Sequence, residues 1–393
     1  MDFKDIMSCA CCRGRRPIFT MHTRVYGKLA FSQPVQLYQL SNKHGMELSV
    51  ISYGARIIGL KVPSVTGELV DVVRGLKDFE AYQKDEFYFG AIVGRVASRV
   101  HPNTVNIAGK QFVLVPNTDM VHHNGGKNGF DTAIWTSEAL EENQREGVTA
   151  IKFRYVSPPG SEGYPGELLT EVEYRLTNRN ELIMKIVVKT EDPTLVSIPN
   201  HAYFNLGGPS ERNIYDHWLT INAETYTPTD DKFIPSGDIK PVAGTPYDFR
   251  SPKRIGDIIG QLPSDGYDDN WCPKRAPGMA PTSVSRLYCP STGVEMEIKA
   301  TQPGLTVYTA NFLNKDIIGK YDEICDKHSA ICLQTHNYPN APHHENFPSA
   351  LLMPGQTYEH TTIYSFSTHR SQQPRRTDYG TVNRAAAIES PEK

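Results

Sequence analysis

Three features are scarce in this chain of 393 residues: long apolar runs, helical periodicity and an excess of either charge. No apolar run approaches the roughly 20 residues that a helix needs to cross a bilayer. The 41 basic and 44 acidic residues leave a net charge of −3, which gives no electrostatic attraction to nucleic acid or to acidic partners. We therefore expect no membrane span and no nucleic-acid partner.

Cysteine is also sparse, and its spacing argues against both disulfides and a metal. The seven cysteines are an odd number, and no group of them has the spacing of metal ligands. They are Cys9, Cys11, Cys12, Cys272, Cys289, Cys325 and Cys332. Free thiols indicate a reducing, cytoplasmic location, and the N-terminus has no apolar segment of the kind that a signal peptide needs.

The two ends of the chain differ in character from the rest. Residues 1–27 combine the Cys9–Cys12 cluster with nearby arginines, and we expect a flexible leader there. Lipid attachment to these thiols beside a membrane is one interpretation, and a leader without a role is the other. Residues 368–393 are polar and interrupted by proline, which predicts a disordered tail. Residues 28–367 carry no internal linker and are predicted to form one domain.

Strand patterns dominate that domain. Residues 171–176 alternate polar and apolar side chains, residues 177–180 have turn composition, and the apolar residues 182–188 return. This order predicts a hairpin whose second strand is the more deeply buried. Residues 151–155 and 47–52 alternate in the same way.

Helical patterns, by contrast, are limited to short pieces at residues 76–82 and 253–259. Many strands joined by loops that hold most of the 30 glycines and 28 prolines indicate an all-β protein. We predict a large antiparallel β-sandwich with few short helices.

Four loop-like stretches concentrate polar groups that a core would not need. They are Gly94–Arg99, His122–Asp131, Pro199–Leu206 and Gly266–Trp271. Each one alone is compatible with an ordinary turn or a structural histidine. Together they offer arginine, amides, histidine and aspartate beside aromatic rings. Planar polar groups suit hydroxyls and aromatic faces suit C–H surfaces, so the set favours a sugar as ligand.

The order of motifs is similar to that of the aldose 1-epimerases, or galactose mutarotases. The motifs are GRVASR, GGKNGFD, SEGYPGEL, NHAYFNL, GYDDN, TQPGLTVYTANFL and LLMPGQTYEHTTIYSF, and they span residues 29–366. The resemblance implies the galactose-mutarotase type of β-sandwich, the supersandwich. It also implies a free aldose (hexose) as small-molecule partner and no cofactor or metal. The reaction implied is interconversion of α and β anomers through ring opening by a general acid and a general base.

The resemblance assigns roles to individual positions. The family's general acid matches His201, whose neighbours Asn200 and Tyr203 also match. The family's hydroxyl-binding arginine matches Arg95, and its sugar-binding aspartate matches Asp268.

Two positions depart from the family pattern. The histidine expected directly before Gly-Gly is Asn124, with His122 and His123 displaced upstream. The glutamate that serves as general base is replaced by Gln334. An amide is nearly isosteric with a carboxylate and can bind a hydroxyl, but it cannot accept a proton at any useful pH.

One substitute base is suggested by strand geometry. His336 lies two residues after Gln334, and residues i and i+2 of a strand share a face. However, their Cα atoms are about 6.5–7 Å apart, whereas a base must come within about 3 Å of its proton.

Three functions therefore remain open from sequence. The chain is an epimerase with a rearranged base, a sugar-binding protein without catalysis, or an interaction protein with a vestigial pocket. For each we expect a monomer or weak dimer.

Overall fold

The computed structural model describes residues 20–143, 147–262, 265–274 and 280–371. The Cys9–Cys12 cluster and residues 372–393 of the predicted tail lie outside these ranges. The prediction of a leader up to residue 27 is too long, because Thr20–Lys28 already forms a strand paired with the next one. At the other end the last strand finishes at Thr368, and the His369 ring stacks on Tyr288.

The regular secondary structure in the first half of the described chain is mostly β-strand. They are β1 (Thr20–Lys28), β2 (Pro34–Ser41), β3 (Glu47–Ile51), β4 (Arg56–Pro63), β5 (Leu69–Asp71), β6 (Val73–Arg74), β7 (Arg99–Val100), β8 (Thr104–Ile107), β9 (Lys110–Val113), β10 (His122–His123), β11 (Thr136–Asn143), β12 (Val148–Ser157), β13 (Leu168–Thr177) and β14 (Glu181–Thr190).

The second half continues in the same way. Its strands are β15 (Thr194–Leu195), β16 (Tyr203–Phe204), β17 (Trp218–Ile221), β18 (Ala223–Thr227), β19 (Lys240–Pro241), β20 (Lys253–Arg254), β21 (Asp268–Pro273), β22 (Thr282–Cys289), β23 (Val294–Ala300), β24 (Gly304–Tyr308), β25 (Cys332–His336), β26 (Leu351–Leu352) and β27 (Tyr358–Thr368).

Three larger sheets organise these strands. The widest has nine strands in the order β11-β12-β13-β14-β27-β23-β22-β17-β20, and the two five-stranded sheets run β1-β2-β3-β4-β5 and β19-β18-β21-β24-β25. Within the described ranges every pairing between named strands is antiparallel. The predicted antiparallel β-sandwich is thereby confirmed.

The hairpin predicted around residues 177–180 is present as β13 and β14, paired from Leu168↔Thr190 to Leu176↔Leu182. Its turn places Asn180 at a φ of 57°, a left-handed conformation that asparagine tolerates better than most residues. The expectation that the second strand is the more deeply buried is wrong. Both strands bury every second side chain, because each has one face on the core and one face towards solvent.

Helices are few and short, as predicted. The α-helix α1 spans Phe79–Gln83 and begins at Asp78, whose side chain accepts a hydrogen bond from the Ala81 N–H. Single 3₁₀ turns occupy Ala30–Ser32, Phe130–Thr132, Ser161–Gly163, Ile255–Asp257, Ile259–Gln261 and Ala341–His343. None of the helices in the described part of the chain is long and apolar enough to cross a membrane.

The main core is shared by the three sheets. It joins Leu48 of the first sheet, Val172 of the nine-stranded sheet and Leu305 of the third. A second core lies beneath α1 and includes Tyr203, Tyr308 and Cys332. The four cysteines of the described ranges are buried and free: Cys272, Cys289, Cys325 and Cys332. The second core packs against the candidate site, and Tyr203 and Tyr308 belong to both.

Candidate sugar site

A cavity of about 470 Å³ opens beside the second core. Strands β16, β21, β24 and β25 reach its inner part, and the loops after residues 85, 117 and 230 form its mouth. Its aromatic lining residues are Phe87, Tyr88, Tyr203, Phe233, Tyr308 and Phe312, and its polar ones are Glu86, Ser98, Arg99, Thr118, Asp119, His123, Asn124, His201, Asp231, Lys232, Asp268 and Gln334.

His201 is held rigidly in the inner part of this cavity. Its backbone N–H donates to the Ala91 carbonyl at 2.8 Å, and its own carbonyl accepts from the Gly90 N–H at 3.0 Å. Its Nδ1 lies 3.6 Å from the Sγ of Cys332. Burial lowers the pKa of the imidazole to about 4 and raises the pKa of the Cys332 thiol well above its ordinary value. Both groups are therefore neutral at pH 7.

This neutral pair can fix the direction of the His201 ring. When the protonated thiol donates to Nδ1, the single ring proton lies on Nε2, on the opposite side of the ring. A neutral imidazole with a free N–H can polarise an oxygen without carrying a charge. His201 is thus equipped to donate a hydrogen bond to a ligand oxygen.

Gln334 lines the same cavity from the middle of β25. Its backbone lies opposite Thr306 of β24, and the residue is 5 % exposed. The Oε1 atom is buried and has no hydrogen-bond partner among the described residues. A buried acceptor without a partner costs free energy, and rotation of the amide about its last bond brings this oxygen to the cavity, where a ligand can donate to it.

His336 shares the strand with Gln334 but does not line the cavity. It is fully buried, with Nδ1 3.3 Å from the Ser197 hydroxyl and Nε2 2.9 Å from the Thr306 hydroxyl. Burial lowers its pKa to about 3. Since both ring nitrogens are engaged by protein groups, the geometry argues against His336 as a substitute base.

Arg95 also lies away from the cavity, contrary to the role assigned from sequence. The residue is 2 % exposed. Its guanidinium donates to six acceptors: Oγ and O of Ser157, Oγ1 of Thr194, and the carbonyls of Pro158, Pro165 and Gly166. With its donors used in this way, Arg95 ties segments 157–158, 165–166 and 194 together and has none left for a sugar. The assignment of Arg95 to a hydroxyl is corrected accordingly.

The arginine that does line the cavity is Arg99, which the sequence analysis did not single out. Its Nη1 donates to Oδ2 of Asp268 at 2.9 Å, and its guanidinium lies 5.1 Å from the centre of the Phe233 ring. Both partners are partly exposed, at 16 % and 12 % of their side chains. An ion pair that remains in contact with the cavity can share its donors and acceptors with ligand hydroxyls.

Two further predicted residues, His123 and Asn124, lie on the cavity wall. Asn124 accepts from the Ser98 N–H at 2.7 Å and has a φ of 50°. The adjacent Gly125 has a φ of 90°, and a Cβ there would lie 1.8 Å from the Gly94 carbonyl oxygen. The absence of a side chain at Gly125 therefore lets the loop backbone approach the Gly94–Arg99 stretch closely. Burial, and then Arg99, lower the pKa of His123 well below its ordinary value.

The two predicted neighbours of His201 divide between cavity and core. Tyr203 lines the cavity, and its hydroxyl donates to the Phe87 carbonyl at 2.9 Å. Asn200 is buried outside it, with Nδ2 donating to the Gly90 carbonyl at 2.7 Å. Asn200 therefore supports the backbone around His201 and does not face the ligand space.

An aromatic wall, formed by Tyr308, Phe312 and Phe233, runs from His201 to the mouth. The Tyr308 ring lies 6.2 Å from the His201 ring and stacks on Phe312 at 5.7 Å. Phe312 meets Phe233 edge to face at 5.5 Å and is 47 % exposed. No signal in the sequence separated these rings from the other aromatic residues of the chain.

The site is suited to an uncharged, hydroxyl-rich ligand. In the described ranges, no group of three or more His, Cys, Asp or Glu side chains is arranged to hold a metal ion. The cavity offers neutral imidazole and amide groups in its interior, one ion pair beside them, and a continuous aromatic surface. Planar hydrogen-bonding groups opposite aromatic faces suit ligands of the carbohydrate class.

The similarity to known proteins agrees with this class. Residues 36–365 match the aldose 1-epimerase family. The chain is 39 % identical over 333 residues to a galactose mutarotase from Sus scrofa, covering 85 % of this chain and 94 % of the relative. It is 38 % identical over 344 residues to a galactose mutarotase from Homo sapiens, covering 87 % and 97 %.

A solved structure gives the same result for the fold. An aldose epimerase homologue from C. elegans superposes with a TM-score of 0.77 at 28 % identity, covering 84 % of this chain and 98 % of that one. The chain belongs to the aldose 1-epimerase family.

Proposed function

We propose that the cavity binds a free aldose, such as galactose or glucose, in its ring form. The observation that carries this proposal is that His201 and Gln334 line one cavity, where the Gln334 Oε1 atom has no protein partner. After rotation of the amide, the sugar C1 hydroxyl supplies the donor that Oε1 lacks, and the ring oxygen accepts from His201. The Arg99–Asp268 pair binds the remaining hydroxyls, and the aromatic wall packs on the C–H surface of the ring.

Anomer interconversion is limited in this proposal by the missing base. His201 can donate to the ring oxygen, but Gln334 cannot take the proton of the C1 hydroxyl. His336 is engaged by Ser197 and Thr306. Loss of one positioned acid–base group lowers a rate by about 10²–10⁴-fold. We therefore expect a sugar-binding protein with little or no mutarotase activity.

The decisive test restores the carboxylate. Gln334→Glu is expected to accelerate mutarotation of freshly dissolved α-D-galactose or α-D-glucose by about 10²–10⁴-fold over the parent chain, measured by polarimetry. Binding of the hexose is followed by calorimetry in both chains. The matched control is Gln261→Glu, which places the same change on an exposed residue and should leave rate and affinity unaltered.

Two results would count against the proposal. If the parent chain is as fast as Gln334→Glu, the carboxylate is not needed and the protein is an ordinary mutarotase. If neither chain binds a hexose at millimolar concentration, the pocket is vestigial.

One observation favours a second candidate, in which the parent chain turns over with another base. Four carboxylates line the cavity: Glu86, Asp119, Asp231 and Asp268. Asp268 lies on the wall with His201, although Arg99 holds it. Under this alternative the parent accelerates mutarotation, and Asp268→Asn abolishes the acceleration while Asp119→Asn does not.

A further inference from the structure

The exchange of carboxylate for amide at residue 334 changes which ligands the site can accept at C1. A glutamate offers acceptors only, so it matches a free hydroxyl and opposes an oxygen that has no proton. The amide of Gln334 offers donors as well as an acceptor, and rotation about its last bond exchanges the two. It can therefore donate to a glycosidic oxygen, which an ionised glutamate cannot do.

The size of the cavity also favours a ligand larger than a free hexose. A hexose has about a dozen non-hydrogen atoms, and at no more than the ~30 Å³ share of a liquid water molecule each, it fills at most about 360 Å³. The cavity measures about 470 Å³. Room remains for a substituent on the sugar.

The aromatic wall determines which kind of substituent fits the remaining space. Tyr308 lies beside His201 in the interior, and the stacked Phe312 carries the surface outward to the mouth. Phe312 is 47 % exposed, so one side of its ring is available. A flat or apolar group leaving C1 towards the mouth would pack on this ring.

The charges of the cavity further limit the class of substituent that can be bound at C1. Four carboxylates and two cations, Arg99 and Lys232, line it, which gives a net formal charge of −2 with histidines neutral. An anionic substituent such as a phosphate is disfavoured by this field, whereas a neutral one is accepted.

We propose that the natural ligand class of this cavity is glycosides, sugars whose C1 oxygen carries a neutral, partly apolar aglycone. This inference rests on the proposed sugar-binding function and deepens it, because a binding site without a base has no need of a free C1 hydroxyl. Gln334 donates to the glycosidic oxygen, His201 donates to the ring oxygen, and the aglycone lies on Phe312.

The test compares ligands in calorimetry with the full chain. The ligands are D-galactose, D-glucose, their methyl glycosides of both anomers, their phenyl β-glycosides, and galactose 1-phosphate. For one of the sugars, at least one methyl glycoside should bind within about 3-fold of the free hexose, and its phenyl glycoside should bind about 3- to 10-fold more tightly through one added ring contact. Galactose 1-phosphate should bind more weakly than galactose.

Two variants separate the contributions. Gln334→Glu should weaken glycosides by about 10-fold or more, and more than it weakens the free hexose, because a donor is lost and a charge faces an unprotonated oxygen. Phe312→Ala should lower the affinity for the phenyl glycoside more than the affinity for the free hexose, so that the advantage of the phenyl group is lost. Phe31→Ala, which truncates a fully exposed phenylalanine outside the cavity, is the control and should change the affinity for neither ligand.

The outcomes are distinct for the two proposals. If free hexose binds and none of the glycosides does, the glycoside inference is wrong and the sugar-binding function stands. The inference is equally wrong if Gln334→Glu binds glycosides as well as the parent does. If no sugar of either kind binds, the proposed function fails, and the glycoside inference with it.

Discussion

Single residues decide what this site can do, and the sequence identified some of them better than others. Gln334 and His201 could be singled out because each lies in a distinctive motif, and both line the cavity. His336 could not be judged from its strand position alone. Strand periodicity places it on the same face as Gln334, but only the packing of Ser197 and Thr306 shows that this part of the face is covered.

The choice between two arginines was likewise beyond the sequence. Arg95 and Arg99 lie four residues apart in one motif and are chemically identical. What separates them is long-range: Arg95 meets carbonyls of residues 157–166, and Arg99 meets Asp268. Such partners are distant along the chain and leave no local signal.

At this scale we predict a role for Cys332 in orienting His201. Cys332→Ala removes the partner of Nδ1, so the ring loses its fixed direction and hexose affinity should fall by about 3- to 10-fold, the worth of one weak hydrogen bond. Cys332→Ser retains a donor and should restore most of the affinity. Calorimetry measures both.

The control for this pair is Cys325→Ala, which truncates a fully buried thiol of the same second core. It should cost stability without altering affinity. Equal affinity in Cys332→Ala and the parent would show that the thiol merely fills space.

At the scale of elements, the antiparallel strands were the most predictable part of the fold. Alternation of period two marks β12, β13 and β14 because each has one solvated face. The buried strands β24 and β25, which carry the site, show no such alternation, since all five residues of each are buried. Their place in the third sheet depends on partners that periodicity does not encode.

We predict opposite phenotypes for the two arginines. Arg95→Ala leaves several buried carbonyl oxygens without a donor and should lower the free energy of unfolding by about 3–5 kcal/mol, with little change in hexose affinity of the folded fraction. Arg99→Ala should cost about 1–2 kcal/mol of stability but weaken hexose binding by about 10-fold or more.

Urea denaturation and calorimetry on both variants test this assignment. If Arg95→Ala is stable and has lost sugar binding, while Arg99→Ala binds normally, the role first inferred for Arg95 was right after all.

For the whole molecule, the buried histidines influence how the free energy of unfolding depends on pH. Burial lowers the pKa of His201 to about 4 and that of His336 to about 3, and it lowers the pKa of His122 and His123 as well. In the unfolded chain a histidine has a pKa of about 6.5. Acidification below this value therefore adds protons to the unfolded state that the folded state does not take up.

We predict that the contribution of the buried histidines to stability is complete above pH 6.5 and falls as the pH decreases towards 4. Burial raises the pKa of Asp131 to about 6 and that of Asp269 to about 7, so proton uptake by these two carboxyls in the folded state offsets part of the fall. Each histidine held neutral contributes a slope of up to about 1.4 kcal/mol per pH unit in this window. His336→Gln, which retains hydrogen-bonding capacity, should be less stable than the parent at pH 7 but should lose stability more gradually on acidification. The slope of its free energy of unfolding against pH should be smaller by up to about 1.4 kcal/mol per pH unit, the contribution of one proton.

The measurement is the urea midpoint and its dependence on pH from 7.5 to 4. His44→Gln, a change of an exposed histidine, is the control and should follow the parent curve. Parallel curves for His336→Gln and the parent would mean that His336 is protonated inside the fold.

The four buried thiols can report the order in which parts of this chain unfold. They lie at separate places, with Cys272 on β21, Cys289 on β22, Cys325 in the loop before β25 and Cys332 on β25. A maleimide reagent can reach each sulfur only when the neighbouring strands separate. In a chain whose Cys9, Cys11 and Cys12 are replaced by serine, the order in which the four adducts accumulate by mass spectrometry therefore maps which sheet opens first.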